Sequence, residues 1–132
     1  MSAQRMFSAA LALPLCGMAA GRVQAQAAMA LPAGVTPTMV TQGASIFKGP
    51  GMCFTCHGPE GKGVIGPNLT DATWLHSKGS YGEIVLQITT GVTAKKSKSG
   101  VVMPPKGGSA ITDAQVKEVA AYVWTLSHPA PK

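Results

Sequence analysis

Two cysteines and a histidine crowd into five residues, Cys53-Phe54-Thr55-Cys56-His57. Thiols and imidazoles serve as metal ligands, nucleophiles and redox groups, so four chemistries compete for this spacing. A zinc site wants a second pair of ligands. The remaining histidines, His76 and His128, stand singly and far apart. A thioredoxin-like dithiol wants a βαβ setting, and the sequence offers none. A structural disulfide suits an exported cysteine pair but leaves His57 idle. Covalent attachment of a c-type heme uses all three residues, and C-x-x-C-H is its signature. Both thiols add across the vinyl groups of one porphyrin, and the adjacent imidazole reaches the iron.

The start of the chain bears on that choice. Arg5 precedes the apolar run MFSAALALPLCGMAA, and Ala25 and Ala27 form an A-x-A pattern before a cut. Residues 1–27 are therefore expected to be a secretory signal that is removed. The run is short for a membrane span and contains Pro14. Bulky Leu15 before Cys16 argues against a lipid-attachment site. Cleavage leaves two cysteines, Cys53 and Cys56, and the motif consumes both. Export agrees with the heme reading, because c-type heme is attached outside the bacterial cytoplasm.

Removing the leader takes away Arg5 and Arg22, leaving nine basic residues against five acidic ones, a formal charge of +4. That balance lacks interleaved aromatics, so nucleic acid is excluded as a partner. An acidic protein partner fits better. The mature chain is a single small domain with a modest core. Aromatic residues make up only 5% of the sequence, so a bulky apolar ligand at the centre would add what the side chains lack.

The elements that must position the motif are legible in part. After a flexible lead-in over 28–36, a helix starts with Thr36 as cap and Pro37 in its first turn. Val40, Ala44 and Phe47 share one face of it, with Gly43 beside them. Gly49-Pro50-Gly51 should stop it. The stretch 58–69 carries four glycines and two prolines and reads as loop. A short helix is expected over Asp71–His76, capped by Thr70. Ser80 and Glu83 form a capping box before Ile84, Val85 and Ile88. That box decides for helix over strand, and Gly91 ends the element. Residues 92–111 read as a long loop with Lys95, Lys96, Lys98 and Lys106. A last helix begins at Thr112, with Gln115 completing a second box. Its stripe is Val116, Val119, Tyr122, Val123 and Leu126, and Pro129 closes it.

In this order, Gly43 and Phe47, Cys53–His57, Gly66-Pro67-Asn68-Leu69, Met103-Pro104 and Val119-Ala-Ala-Tyr122-Val123 resemble the class I cytochromes c. The resemblance runs from about residue 38 to 127. The stretches GPNLTDATWL and AYVWTLS look like those of small bacterial cytochromes and of cytochrome subunits of heme–copper oxidases. It implies an all-α cytochrome c fold. Four to five short helices would wrap one covalently attached heme, with the first and last helices crossing. The domain would cover 37–128 and leave a tail over 129–132.

The resemblance also implies roles. His57 is the proximal iron ligand, and the Pro67 carbonyl takes the proton on its other ring nitrogen. Met103 is the sixth ligand. Of the other methionines, Met29 lies in the lead-in, Met39 in the first helix, and Met52 is tied to the attachment side. Pro104 and Pro105 stiffen the loop that carries Met103. His76 is the fallback ligand. Leu69, Trp74, Ile84 and Ile88 line the pocket, and Gly43 lets the crossing helices approach, with Phe47 against Val119 and Tyr122.

A His/Met-ligated iron has a raised potential and no open coordination position. The expected function is therefore electron transfer in the periplasm, without a catalysed reaction or small-molecule substrate. The rival role is that of a bound electron-entry subunit of an oxidase or dehydrogenase complex. A heme sensor or peroxidase would need an open sixth position. The lysines flanking the Met103 loop would orient an acidic redox partner.

Overall fold

The computed structural model describes residues 30–129. The expected leader, Met29 and the last three residues lie outside the described residues. Helix α1 spans Pro37–Lys48. The Thr36 hydroxyl accepts the Met39 N–H at 3.2 Å, and Pro37 occupies the first turn, where no N–H is needed. A single turn, α2, spans Phe54–His57 and carries the motif. Helix α3 spans Tyr81–Thr90 and α4 spans Asp113–Ser127. A 3₁₀ turn over Pro105–Gly108 precedes α4. Among the described residues there is no strand, only one isolated antiparallel bridge between Val92 and Met103. The all-α expectation therefore holds for this part of the chain.

The frame is the crossing of α1 and α4. Gly43 makes it possible: a Cβ there would overlap the Glu118 carbonyl and stand 3.0 Å from the Tyr122 Cβ. One turn on, the Phe47 ring meets Tyr122 edge-on, with centroids 5.3 Å apart and planes at 67°. Phe47 and Val119 are both 0% exposed. Burying one such side chain stabilises the fold by roughly 1.5–3 kcal/mol. Val40 and Ala44 are only half-buried, while Ile46, which the periodic reading passed over, is buried. Likewise Ala120 and Ala121 are buried in α4, whereas Tyr122 and Leu126 are half-buried.

Helix α3 packs on α4 and adds Ile84 and Ile88 to the core. Its start is fixed by Glu83, whose carboxylate accepts from the Ser80 N–H at 3.1 Å and the Ser80 hydroxyl at 2.6 Å. The Tyr81 hydroxyl donates to the Lys117 carbonyl at 3.2 Å and ties the two helices. At α4, Thr112 and Gln115 exchange both capping bonds, at 2.9 and 3.2 Å. His128 stacks on Trp124 at 4.1 Å and 7°, where the helix ends.

One expectation fails. Residues 71–76 are not helical. The Asn68 side chain takes the Thr70 N–H at 2.9 Å, and that of Asp71 takes the Thr73 N–H at 2.8 Å. Short polar side chains offer the backbone a turn in place of a helical ladder. The stretch 92–111 is the long loop expected, but an ordered one that includes the 3₁₀ turn. Val92 and Met103 exchange two backbone bonds, at 2.7 and 3.0 Å, and Thr93 starts a turn whose carbonyl accepts from Lys96 and Ser97. Val92 and Ile111 are buried.

Candidate functional site

The site is built around the turn that carries the cysteines. The glycine-rich loop after α2 folds back onto it. The Cys56 carbonyl accepts the N–H groups of Val64, Ile65 and Gly66, at 3.0, 3.2 and 2.9 Å. The His57 carbonyl accepts that of Gly63 at 2.7 Å. This wrap sets the Pro67 carbonyl 2.9 Å from the Nδ1 of His57. Proline has no N–H of its own, so its carbonyl faces the ring without a competing donor. The Nδ1–H donates, and Nε2 is left with its lone pair. Gly66 is required at close quarters: a Cβ there would lie 3.1 and 3.2 Å from two atoms of the His57 ring.

Burial holds the His57 imidazole below its ordinary pKa, opposed by the weaker effect of the Pro67 hydrogen bond. The ring is therefore neutral near pH 7 and able to bind through Nε2. Burial pushes the Cys53 thiol up to about 11, with its backbone hydrogen bond opposing and Cys56 adding a smaller push. Reactive dithiols have lowered pKa values, so Cys53 lacks the electrostatics of an exchange nucleophile. Cys53 and Cys56 are not joined to each other in this structure. Among the described residues no group of three or more His, Cys, Asp or Glu side chains converges to hold a metal ion.

Cys53, Cys56, His57, Pro67, Leu69, Trp74 and Met103 all line one open cavity. It encloses about 910 Å³ of empty space, its mouth included. A narrower inner lobe continues it to Ile84, Ile88, Phe47 and Val119, so the cavity opens directly onto the core. His57 and Met103 border both lobes. The backbone of Met103 is held there by the bridge to Val92. Gly91 backs onto the Met103 carbonyl with φ +68, a conformation and a closeness that suit glycine alone.

His76, the fallback ligand, also borders the cavity, but its Nε2 accepts the backbone N–H of Lys98 at 3.0 Å. Met52 lies at the rim, 55% exposed and at φ 53. Met39 is half-buried on α1, away from the lining. Several wall residues escaped the sequence reading. Gln87 borders both lobes and Val92 the outer one beside Met103; Leu75, Val101 and Val102 are further lining residues that the sequence did not single out. The α3 periodicity carried a signal for Gln87, which adjoins Ile88 on the inward side. Lys106 leaves the expected basic patch, because its ammonium pairs with Asp113 at 2.8 Å. Lys95, Lys96 and Lys98 are exposed.

The chain has recognisable relatives. The family described as cytochrome C oxidase, cbb3-type, subunit III matches residues 38–123. The cbb3-type cytochrome c oxidase subunit CcoP of Rubrivivax gelatinosus is 41% identical over 76 residues, covering 57% of this chain and 22% of that protein. The subunit FixP of Azorhizobium caulinodans is 38% identical over 96 residues, covering 70% of this chain and 29% of that protein. The chain thus spans less than a third of the length of either relative. Among solved structures, the c-type cytochrome XoxG of Methylobacterium extorquens superposes with a TM-score of 0.51 at 22% identity, over 70% of this chain and 52% of that one. A chain of a reducing HAO-like protein complex from Kuenenia stuttgartiensis gives 0.55 at 20% identity, over 75% and 48%. These two likenesses speak to the fold alone. With the family match covering most of the described residues, the chain belongs to the cytochrome c family represented by subunit III of cbb3-type cytochrome c oxidase.

Proposed function

We propose that this chain is an exported electron-transfer protein, and that Cys53, Cys56, His57 and Met103 together hold one c-type heme. The observation that carries the reading is the convergence of two thiols, a carbonyl-oriented imidazole and a thioether on one largely apolar cavity. Such a heme supplies an iron centre that gains and loses one electron.

The protein's part is retention, orientation and exclusion of water. Cys53 and Cys56 hold the group through thioether bonds, so it cannot dissociate. His57 Nε2 would bind the iron, with the Pro67 carbonyl keeping its ring from turning and raising its basicity. Met103 would supply the second protein ligand, a soft thioether that favours a high potential. With both residues as ligands the chain would leave the iron no position open to a substrate, which suits electron transfer over catalysis. Leu69, Trp74, Ile84 and Ile88 shield the interior from water, and that favours the less charged, reduced state. The lead residues 1–27 act as the export signal, and the working compartment is the periplasm. Among the described residues no helix is long and apolar enough to cross a membrane.

The redox partner is an anionic protein surface, with a membrane heme–copper oxidase as the acceptor. Lys95, Lys96 and Lys98 sit on the loop whose Val101 and Val102 line the cavity mouth. Their charge would steer encounter in a salt-dependent way. A second reading, a firmly bound electron-entry subunit of such an oxidase, is favoured by the relatives' being subunits. The test is oxidation of the reduced protein by membranes containing a cbb3-type oxidase. Fast turnover that slows with salt, and roughly tenfold slowing in the triple variant K95E/K96E/K98E at low salt, is expected for a mobile carrier. Co-purification with one membrane complex through high salt points to the bound subunit. Absence of any electron exchange contradicts both.

A further inference from the structure

We infer that His76 is a positioning residue, a clasp that closes the loop over residues 93–102 against the cavity and so guards the Met103 side of the site. The inference rests on the heme-binding reading above for its functional meaning, and on the chain's own hydrogen bonds for its geometry.

The loop is largely self-contained. Its bonds run from Lys96 and Ser97 to the Thr93 carbonyl, from the Ser97 hydroxyl to the Val101 carbonyl at 2.7 Å, and between the hydroxyls of Ser97 and Ser99. At its base the Val92–Met103 bridge closes it. Beyond that base, the bond from the Lys98 N–H to His76 Nε2, 3.0 Å long, ties it to a distant part of the chain among the described residues. The two partners are 22 residues apart in sequence.

The two loops joined by this bond are two sides of one wall. Trp74, Leu75 and His76 line the cavity from one side, and Ser99, Val101 and Val102 from the other. An isolated pair of short extended segments is marginal in water. The base bridge alone therefore leaves the tip free to swing, and a swinging tip opens the wall. The His76 acceptor converts the tip into a second fixed point. Nε2 must be unprotonated to accept, so the ring carries its proton on Nδ1. Neighbouring charges come from Glu83 on α3 and Lys96 on the clasped loop, which border the groove beside His76. What the clasp needs is an acceptor at the Nε2 position; it does not need a ring or a ligand to iron.

That requirement makes the test. Wild type, H76Q and H76F are prepared as the full exported protein. Hydrogen exchange is followed across 93–102, and the oxidised proteins are titrated with imidazole as a competing axial ligand. Glutamine keeps an acceptor oxygen near the lost nitrogen; phenylalanine keeps the ring and loses the acceptor. In H76F the loop amides should exchange roughly fivefold faster, the worth of one net hydrogen bond, and imidazole should bind tighter by a similar factor. H76Q should stay near wild type in both. Unchanged exchange in H76F, or H76Q as labile as H76F, overturns the clasp. Loop exchange reads the clasp whatever the cofactor, whereas a wild-type protein without covalently added mass contradicts the heme reading separately.

Discussion

The Nδ1 of His57 lies 2.9 Å from the carbonyl oxygen of Pro67, ten residues further on. The bond aims the remaining ring nitrogen and anchors the glycine-rich loop that brings Pro67 back. The carbonyl, and not the proline ring, is what His57 needs. Pro67→Ala keeps that carbonyl and adds chain freedom to the unfolded state. It should cost about 0.4–1 kcal/mol in denaturant unfolding while cofactor attachment and axial spectra stay as in wild type. Loss of attachment in Pro67→Ala would show that the ring itself is required.

Gly43 offers a sharper stability test, because the Glu118 backbone occupies the space a side chain would take. Gly43→Ala forces α1 away from α4, across the contact of Phe47 with Tyr122. Overpacking of this kind costs roughly 1–3 kcal/mol, read as a lower midpoint at unchanged slope. Gly82 on α3 is the control, since its Cβ would meet nothing within 4 Å. Gly82→Ala should be neutral or stabilising, by up to about 1 kcal/mol. Equal losses in the two variants would contradict the close-crossing account.

Two carboxylates give stability a defined pH dependence. Glu83 is held below the ordinary carboxylate range, first by its hydrogen bond from the Ser80 side chain and then by the Ser80 N–H. Asp113 is lowered by the Lys106 ammonium, through a hydrogen bond and through charge. Their folded values lie below their unfolded ones. Each contribution is therefore fully present above the unfolded carboxylate pKa, roughly 4, and lost as pH falls through the folded value. The stability gap between wild type and Glu83→Gln should be widest near neutral pH and close in acid. A gap that stays constant through the acid range would rule out the charged form as the origin.

The caps that start the helices were legible in the sequence, and the inward faces in part: Phe47, Ile84, Ile88, Val116, Val119 and Val123 are buried as the period implies, whereas Val40, Ala44, Tyr122 and Leu126 are only half-buried. Thr36, Ser80 with Glu83, and Thr112 with Gln115 each act within four residues of chain, so local reading suffices. The motif and the glycine-rich stretch behind it were equally readable, because each residue's chemistry and spacing is local. What escaped was, with the local exception of Asp71, set by partners further along the chain. Asp71 looked like a helix start, yet its carboxylate takes the Thr73 N–H and makes a turn. Lys106 looked like one of four free lysines until α4 brought Asp113 to it. The order within the loop after α3 was hidden because it comes from Val92 meeting Met103 and from His76 meeting Lys98. No window of local sequence contains either pair.

The central claim is that Cys53 and Cys56 are consumed in holding a single porphyrin between His57 and Met103. It is tested most directly by the intact mass of the purified exported protein, taken with its free-thiol count and its oxidised spectrum. The account predicts the mature polypeptide plus one heme, no titratable thiols, and a weak absorption near the red end that Met103→Ala abolishes. A bare polypeptide mass with two reactive thiols would contradict it.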